Sequence, residues 1–278
     1  MPRRSVKRSH TVFKDDFNSW NPSNYKQDVT AWGGGNGEFQ VYTPEAANTF
    51  VRNGVLYLKP TFLIDNANFT NYQMYHGRMD LNCNKWSFNF IIAIWMLPRD
   101  WSYGGWPRSG EIDLMESRGN SYAGAGGVNH GVNEVSSTLH WGPDSGQNRY
   151  YKTHAEKYVL MNSVLTEYLS PETDTYVDNQ EILRVNTPSE GFWRWGGFGG
   201  TSPWHAHNAP FDKPFQLILN VAVGGAFFPD SWHYNSPKPW HGGQHPMRDF
   251  WEKRGDWQNS WHGDDIALQV DYVEMIQQ

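Results

Sequence analysis

The stretch Gly110-Glu111-Ile112-Asp113-Leu114-Met115-Glu116 sets three carboxylates among apolar residues, and few structures accommodate that pattern. Side chains of a regular strand alternate between faces, so Glu111 and Asp113 share a face while Glu116, an odd number of residues from both, points to the other. A β-bulge between Asp113 and Glu116 absorbs one residue and returns Glu116 to the face of the first two. Bulges re-aim side chains in this way beside active sites. The sequence therefore predicts a bulged strand with all three acids on one surface. Four regular strand steps span roughly 13 Å, and two glutamates leaning inward across a bent strand close much of that gap. Carboxyl groups about 5–5.5 Å apart are what retaining cleavage of a glycosidic bond requires, one attacking the anomeric carbon and the other protonating the leaving oxygen. Three acids so close cannot ionise independently; at least one pKa is expected to rise, with the cluster titrating as a unit. Spacing alone equally fits solvated carboxylates on the outer face of an edge strand, so the surroundings have to decide.

Upstream, the apolar run at 88–97 reads as a strand buried on both faces, followed by Pro98 and a loop carrying Trp101, Tyr103, Gly104, Gly105 and Trp106. The segment Trp106-Pro107-Arg108-Ser109-Gly110 leading into the three acids resembles the signature of glycoside hydrolase family 16, in its laminarinase-like form with the bulge insertion. Further segments resemble the same family in the same order: Trp32-Gly33-Gly34-Gly35-Asn36-Gly37-Glu38-Phe39-Gln40, Tyr75-His76-Gly77-Arg78-Met79, Ile94-Trp95-Met96-Leu97-Pro98, Leu139-His140-Trp141-Gly142-Pro143, the run at 211–225, and Val270-Asp271-Tyr272-Val273. Together they span nearly the whole chain.

Composition bears on partners more than on fold. The net charge of −6 comes with acidic and basic residues interspersed, so no basic stripe awaits a nucleic-acid backbone. The 15 Trp and 14 Tyr are too many for the interior of a polar chain, and part of them is expected to line a surface. Aromatic faces suit the apolar C–H patches of pyranose rings while their polar edges meet hydroxyls. No segment is apolar over the roughly 20 residues of a membrane span. The basic start at 1–8 lacks the apolar stretch of a signal peptide, so residues 1–10 read as a disordered tail and 11–278 as one catalytic domain. Cys83 is the only cysteine and excludes an internal disulfide. Asn68-Phe69-Thr70 matches a glycosylation acceptor.

Strands and turns dominate, and no amphipathic helix stands out. Arg78, Asp80 and Asn82 alternate with apolar residues in a half-buried strand, Asp178-Asn179 reads as a hairpin turn, and 215–223 as a core strand. The apolar parity flips between Tyr272 and Val273, which predicts a second bulge. Glycine-rich stretches at 32–37, 123–127 and 195–200 are expected as loops at a cleft rim. The expected fold is all-β, a β-sandwich of jelly-roll type with a concave substrate cleft, which the resemblance also implies.

The resemblance further implies a retaining endo-β-1,3-glucanase acting by double displacement on internal bonds of a β-glucan polysaccharide. Glu111 is then the nucleophile, Glu116 the acid/base, Asp113 the residue that holds the nucleophile's charge, and His140 a neighbour of the acid. Trp106 and Trp95 are sugar platforms, and Arg78 and Asn36 bind hydroxyls. A structural calcium is implied at Asp271 and the carbonyl of Gly54, with none needed for catalysis. An extracellular monomer with no nucleic-acid or membrane partner is expected. A mixed-linkage or agarase-like hydrolase, and a glucan-recognition protein that binds without cutting, remain alternatives. Leu165-Thr166-Glu167-Tyr168 departs from the Leu-Glu-Trp expected of the family there.

Overall fold

The computed structural model describes residues 10–61, 90–159, 168–169, 173–243, 245–261 and 263–277. Arg78 and its strand, Cys83, the triplet at Asn68 and the departure at 165–167 lie outside the described residues. The chain divides into two compact units, one of residues 1–87, 221–229 and 239–278 and one of residues 88–220 and 230–238.

In the first unit, β1 (His10–Asp15) starts within the expected tail, and β2 (Thr49–Arg52) and β3 (Val55–Leu58) form a hairpin. Its two-residue turn, Asn53 at φ 54° and Gly54 at φ 77°, has the left-handed pair that matches the twist of such hairpins.

The second unit holds β4 (Phe90–Pro98), β5 (Glu111–Arg118), β6 (Ala123–Gly124), β7 (Glu134–His140), β8 (His154–Tyr158), β9 (Tyr168–Leu169), β10 (Thr173–Val177), β11 (Gln180–Val185), the short helix α1 (Gly191–Trp195), β12 (Phe215–Val223) as far as Asn220, and β13 (His233–Tyr234). A five-stranded sheet runs β12-β4-β5-β7-β8 and a three-stranded one β11-β10-β9, with β6 and β13 paired separately. The β10–β11 turn is the expected one, with Asp178 at φ 50° and Asn179 at φ 62°. Back in the first unit, the chain forms the helices α2 (Pro246–Glu252) and α3 (Arg254–Trp257), then β14 (Leu268–Val270) and β15 (Val273–Gln277).

The second bulge expected near Tyr272 is instead a change of sheet. β14 pairs with β3 and β15 with β1, so Val270 and Val273 answer to different partners and the parity flip needs no extra residue in one strand. Two of the glycine stretches are also more structured than loops: Ala123 and Gly124 pair with Tyr234 and His233, and Trp195 closes α1 and stacks on Trp141 with ring centroids 5.2 Å apart.

Each unit has an aromatic core. In the first, Phe39, Phe228, Trp240, Phe250, Trp257 and Trp261 meet edge to face, stacked or tilted, which explains where part of the tryptophan goes. In the second, Ile112, Leu114, Leu139 and Trp141 of the large sheet pack on Leu183 and Val185 of β11 and on Phe192, while Met115 and Val135 pack on Val177 and Ile182. One face of the five-stranded sheet is thus buried against the β10–β11 hairpin, and its other face is left for polar residues.

A chain of buried hydroxyls joins these layers. The Leu183 amide donates to Thr175 Oγ1 (3.2 Å), Thr175 Oγ1 to Ser137 Oγ (2.9 Å), and Ser137 Oγ to the Asp113 carbonyl (2.8 Å). Ser137 is wholly buried and Thr175 nearly so, so each group depends on its neighbour for satisfaction. Ser137→Ala strands the Asp113 carbonyl and the Thr175 hydroxyl together and is expected to cost about 1–3 kcal/mol of unfolding free energy, read from urea denaturation.

Candidate active site

The expected bulge is present. Asp113 stands opposite Thr138 and Glu116 opposite Ser136, so Leu114 and Met115 together face the single residue Ser137. The register of β4 shifts at the same place: Trp95 faces Asp113, and Ile94 faces Met115. Leu114 and Met115 both turn into the core, at 3% and 4% exposure, and Glu116 rejoins the face of Glu111 and Asp113. At the start of β5, Gly110 adopts φ 84°, and a Cβ there would meet the Phe211 ring at 3.0 Å, so glycine is required where the strand enters the site.

His140, directly across from Glu111, completes the cluster. Its Nε2 lies 3.0 Å from Asp113 Oδ2 and 3.7 Å from Glu111 Oε1. Its Nδ1 is 2.8 Å from Asn148 Nδ2. The Asn148 amide is oriented by the Tyr150 backbone N–H, which donates to its Oδ1, so Nδ2 is the donor to the ring and the imidazole proton sits on Nε2, aimed at Asp113. Burial holds the His140 pKa below its ordinary value, which keeps the ring neutral.

All three carboxyl pKa values are raised. Burial is the main cause for Glu111, with the charges of Asp113 and Glu116 adding to it and His140 and a hydrogen bond from Trp106 opposing it. Burial likewise raises Asp113. Glu116 is pushed up to about 8, by burial first and Asp113 second, against the pull of His140 and Arg118. The arrangement is a buried set of acids, each with a raised affinity for its proton, gathered on one sheet face.

Trp106 is 40% exposed, and its ring lies 5.6 Å from that of His140, so it both donates to Glu111 and offers a surface beside it. Trp95 shares the face, its Nε1 donating to Asn220 Oδ1 at 2.6 Å. Asn36 belongs to the first unit, where its amide donates to the buried Glu38. Sequence reasoning missed Asn148, Tyr150, whose ring stacks 5.5 Å from His140, and Asn220. Only Asn148 carried a signal, as the amide of a turn closely following the His140 strand.

Gly54 and Asp271 both fall at one end of the β1–β15 ladder. Asp15 pairs with Val273, Asp271 precedes that pair, and a Cβ on Gly54 would lie 3.9 Å from the carbonyl of Asp16. Asp271 is exposed there.

No family profile matches the chain. A β-1,3-glucan-binding protein of Penaeus monodon is 32% identical over an alignment covering 95% of this chain and 89% of that protein. Glucan endo-1,3-beta-glucosidase A1 of Niallia circulans is 31% identical over 78% of this chain, which spans 34% of that longer protein. Among solved structures, the laminarinase from Rhodothermus marinus matches 97% of both chains with a TM-score of 0.57 at 23% identity. The fold is therefore the antiparallel β-sandwich of jelly-roll type, and the chain belongs to glycoside hydrolase family 16 in its laminarinase-like form. Among the described residues, no helix is long and apolar enough to cross a membrane.

The raised pKa of Glu116 has a stability consequence. Unfolded, the group releases its proton near its ordinary value of 4.5, whereas folded it keeps the proton to about 8, so between those pH values the unfolded state binds fewer protons and folding weakens as pH rises. Its contribution is fully present below the unfolded value and is lost as pH passes the folded one. Glu116→Gln removes the penalty, and the variant is expected to exceed the wild type by about 1–3 kcal/mol near pH 8, the difference closing at acid pH. Urea midpoints across that range measure it.

Proposed function

We propose that the protein is a retaining endo-β-1,3-glucanase that cleaves internal bonds of a β-glucan outside the cell. The observation that carries the reading is the bulge, which sets Glu116 on the face of Glu111, with Leu114 and Met115 absorbed into the core. Glu111 attacks the anomeric carbon as Glu116 passes its proton to the leaving oxygen, giving a glycosyl ester on Glu111. Glu116 then takes a proton from water, which displaces the ester and restores both groups. Burial first, and Asp113 second, make the ionised form of Glu111 costly, and forming the ester relieves that cost. The neutral His140, donating through Nε2, holds Asp113 in place. Trp106 stacks on the sugar next to the cleaved bond, and Trp95 offers a second platform.

The name of the Niallia circulans relative supports β-1,3-glucan as substrate. The name of the Penaeus monodon relative favours a second reading, binding without cleavage. Reducing-end release from laminarin separates the two. The wild type is expected to liberate sugar and Glu111→Gln to lose at least about 1,000-fold in kcat while still being retarded in a laminarin-containing gel. Retardation of the wild type without any sugar release would establish the binder.

We also propose that the carboxylate of Asp271 and the carbonyl of Gly54 hold a structural calcium, which ties the turn of the β2–β3 hairpin to the strand end before β15. Thermal unfolding is expected to shift up by several degrees in calcium over a chelator, and Asp271→Ala to abolish the shift.

A further inference from the structure

A second cluster of ligating side chains lies on the same face of the large sheet, beyond Glu116. We propose that His130, Glu134 and Glu156, with His154 at their edge, form a zinc-binding site separate from the catalytic acids. One ligand atom from each of the first three falls within 4.8 Å of the others. Both oxygens of Glu134 face His130 Nδ1, at 2.8 and 2.9 Å, and Glu156 Oε2 lies 3.7 Å from the same nitrogen. The other Glu156 oxygen is 3.2 Å from His154 Nε2. Two imidazoles and two carboxylates thus converge from β7, β8 and the loop before β7.

The fold holds these groups in place. Ser136 pairs with Glu156 and Glu134 with Tyr158, so the two glutamates are diagonal neighbours on one face. The His130 amide donates to the Ala123 carbonyl at 2.6 Å, and the Glu134 amide closes the turn onto the Gly131 carbonyl at 2.9 Å. The His130 ring stacks on Trp232 with centroids 4.6 Å apart and planes 19° from parallel, and its carbonyl accepts from Arg118 at 3.2 Å. A ligand ring fixed by stacking and by its own backbone loses little freedom when a metal binds.

The donor chemistry selects the ion. Nitrogen with carboxylate oxygen suits zinc, whereas calcium takes oxygen alone. Two carboxylates neutralise the divalent charge. In the metal-free protein His130 Nδ1 and the Glu134 carboxylate lie within hydrogen-bond distance of each other, and zinc would take the place of that contact. The Arg118 guanidinium lies over the Trp232 ring, 4.8 Å from its centroid, and helps to fix the ring on which His130 stacks. Register places it apart from the catalytic cluster: Glu116 faces Ser136, Glu134 lies two residues farther along β7, roughly 7 Å, and Glu156 stands one strand beyond Ser136.

Titration calorimetry of the full chain with zinc chloride tests the site, with calcium chloride as a control. The wild type is expected to bind one zinc at submillimolar concentration. Glu156→Gln, a conservative change at a partly exposed side chain, and His130→Gln are each expected to weaken binding by about tenfold or more, and Glu111→Gln/His140→Gln to retain it. No zinc binding by the wild type, a site that survives both Glu156→Gln and His130→Gln, or one that disappears with the Glu111 and His140 changes overturns the proposal.

Discussion

Two residues of β5 facing one residue of β7 is the mismatch on which the site depends, and the core beneath makes it tenable. A bulge leaves a backbone group without its ladder partner. Here the Asp113 carbonyl takes its hydrogen bond from the Ser137 hydroxyl, which Thr175 supports in turn. The hairpin carrying Thr175 has its own register shift between Thr175 and Tyr176. The two irregularities are stacked and bridged by side-chain hydroxyls, so the bulge is specified from below by the packing of β10 on the sheet. Leu114 and Met115 lock it from the side by filling the apolar layer together. A regular strand in this place would expose one of them and bury Glu116 in the core.

That backbone distortion forces an electrostatic cost. Three carboxylates and a histidine share one half-buried face, and burial raises every carboxyl pKa while lowering that of His140. All these shifts favour neutral forms, so the resting site carries far less charge than its composition suggests. The groups around it choose where the remaining charge sits. Trp106 donates to Glu111, and Asn148 fixes the His140 proton on the side of Asp113. Trp106 and His140 act on Glu111, whereas Arg118 and His154 join His140 in acting on Glu116, so the two glutamates stand in different surroundings although they are chemically identical. Asymmetry of environment is what separates a nucleophile from an acid.

The sequence made the bulge legible because only one inserted residue reconciles three acids with strand parity. The hairpin at Asp178-Asn179 was legible for a similar reason, since both residues tolerate positive φ. Parity misled at Tyr272, where the flip between Val270 and Val273 reflects two different sheets rather than a bulge, a distinction set by long-range pairing that no local pattern encodes. Asn220 was invisible because it reaches Trp95 across the fold, whereas Asn148 lies only a turn away from its partner His140. Trp195 read as a loop residue beside its glycines, yet its ring lies flat on Trp141, since packing rather than flanking residues decides the fate of an aromatic ring. The cluster around His130 escaped notice because its members come from a loop and two strands, with no spacing that signals a shared site.

The distribution of this burial bears on the choice between the two proposed readings, cleavage and binding alone. A surface that merely binds a neutral polysaccharide gains from aromatic platforms and neutral hydrogen-bonding groups. It gains nothing from carboxyls whose folded pKa values lie above their unfolded ones, because such groups weaken the fold at neutral pH. Glutamine or asparagine would keep the hydrogen bonds without that penalty. The acids occupy a bulge that the whole second unit is built to support, with the hydroxyl relay beneath, His140 alongside and Trp106 above. Proton transfer is the one task for which a buried acid serves better than its amide, since a proton held to about pH 8 on Glu116 is available to a leaving oxygen under neutral conditions. The destabilising element of the structure and its most supported one are the same residues, which is the arrangement expected where strain is part of the chemistry rather than a by-product of the fold.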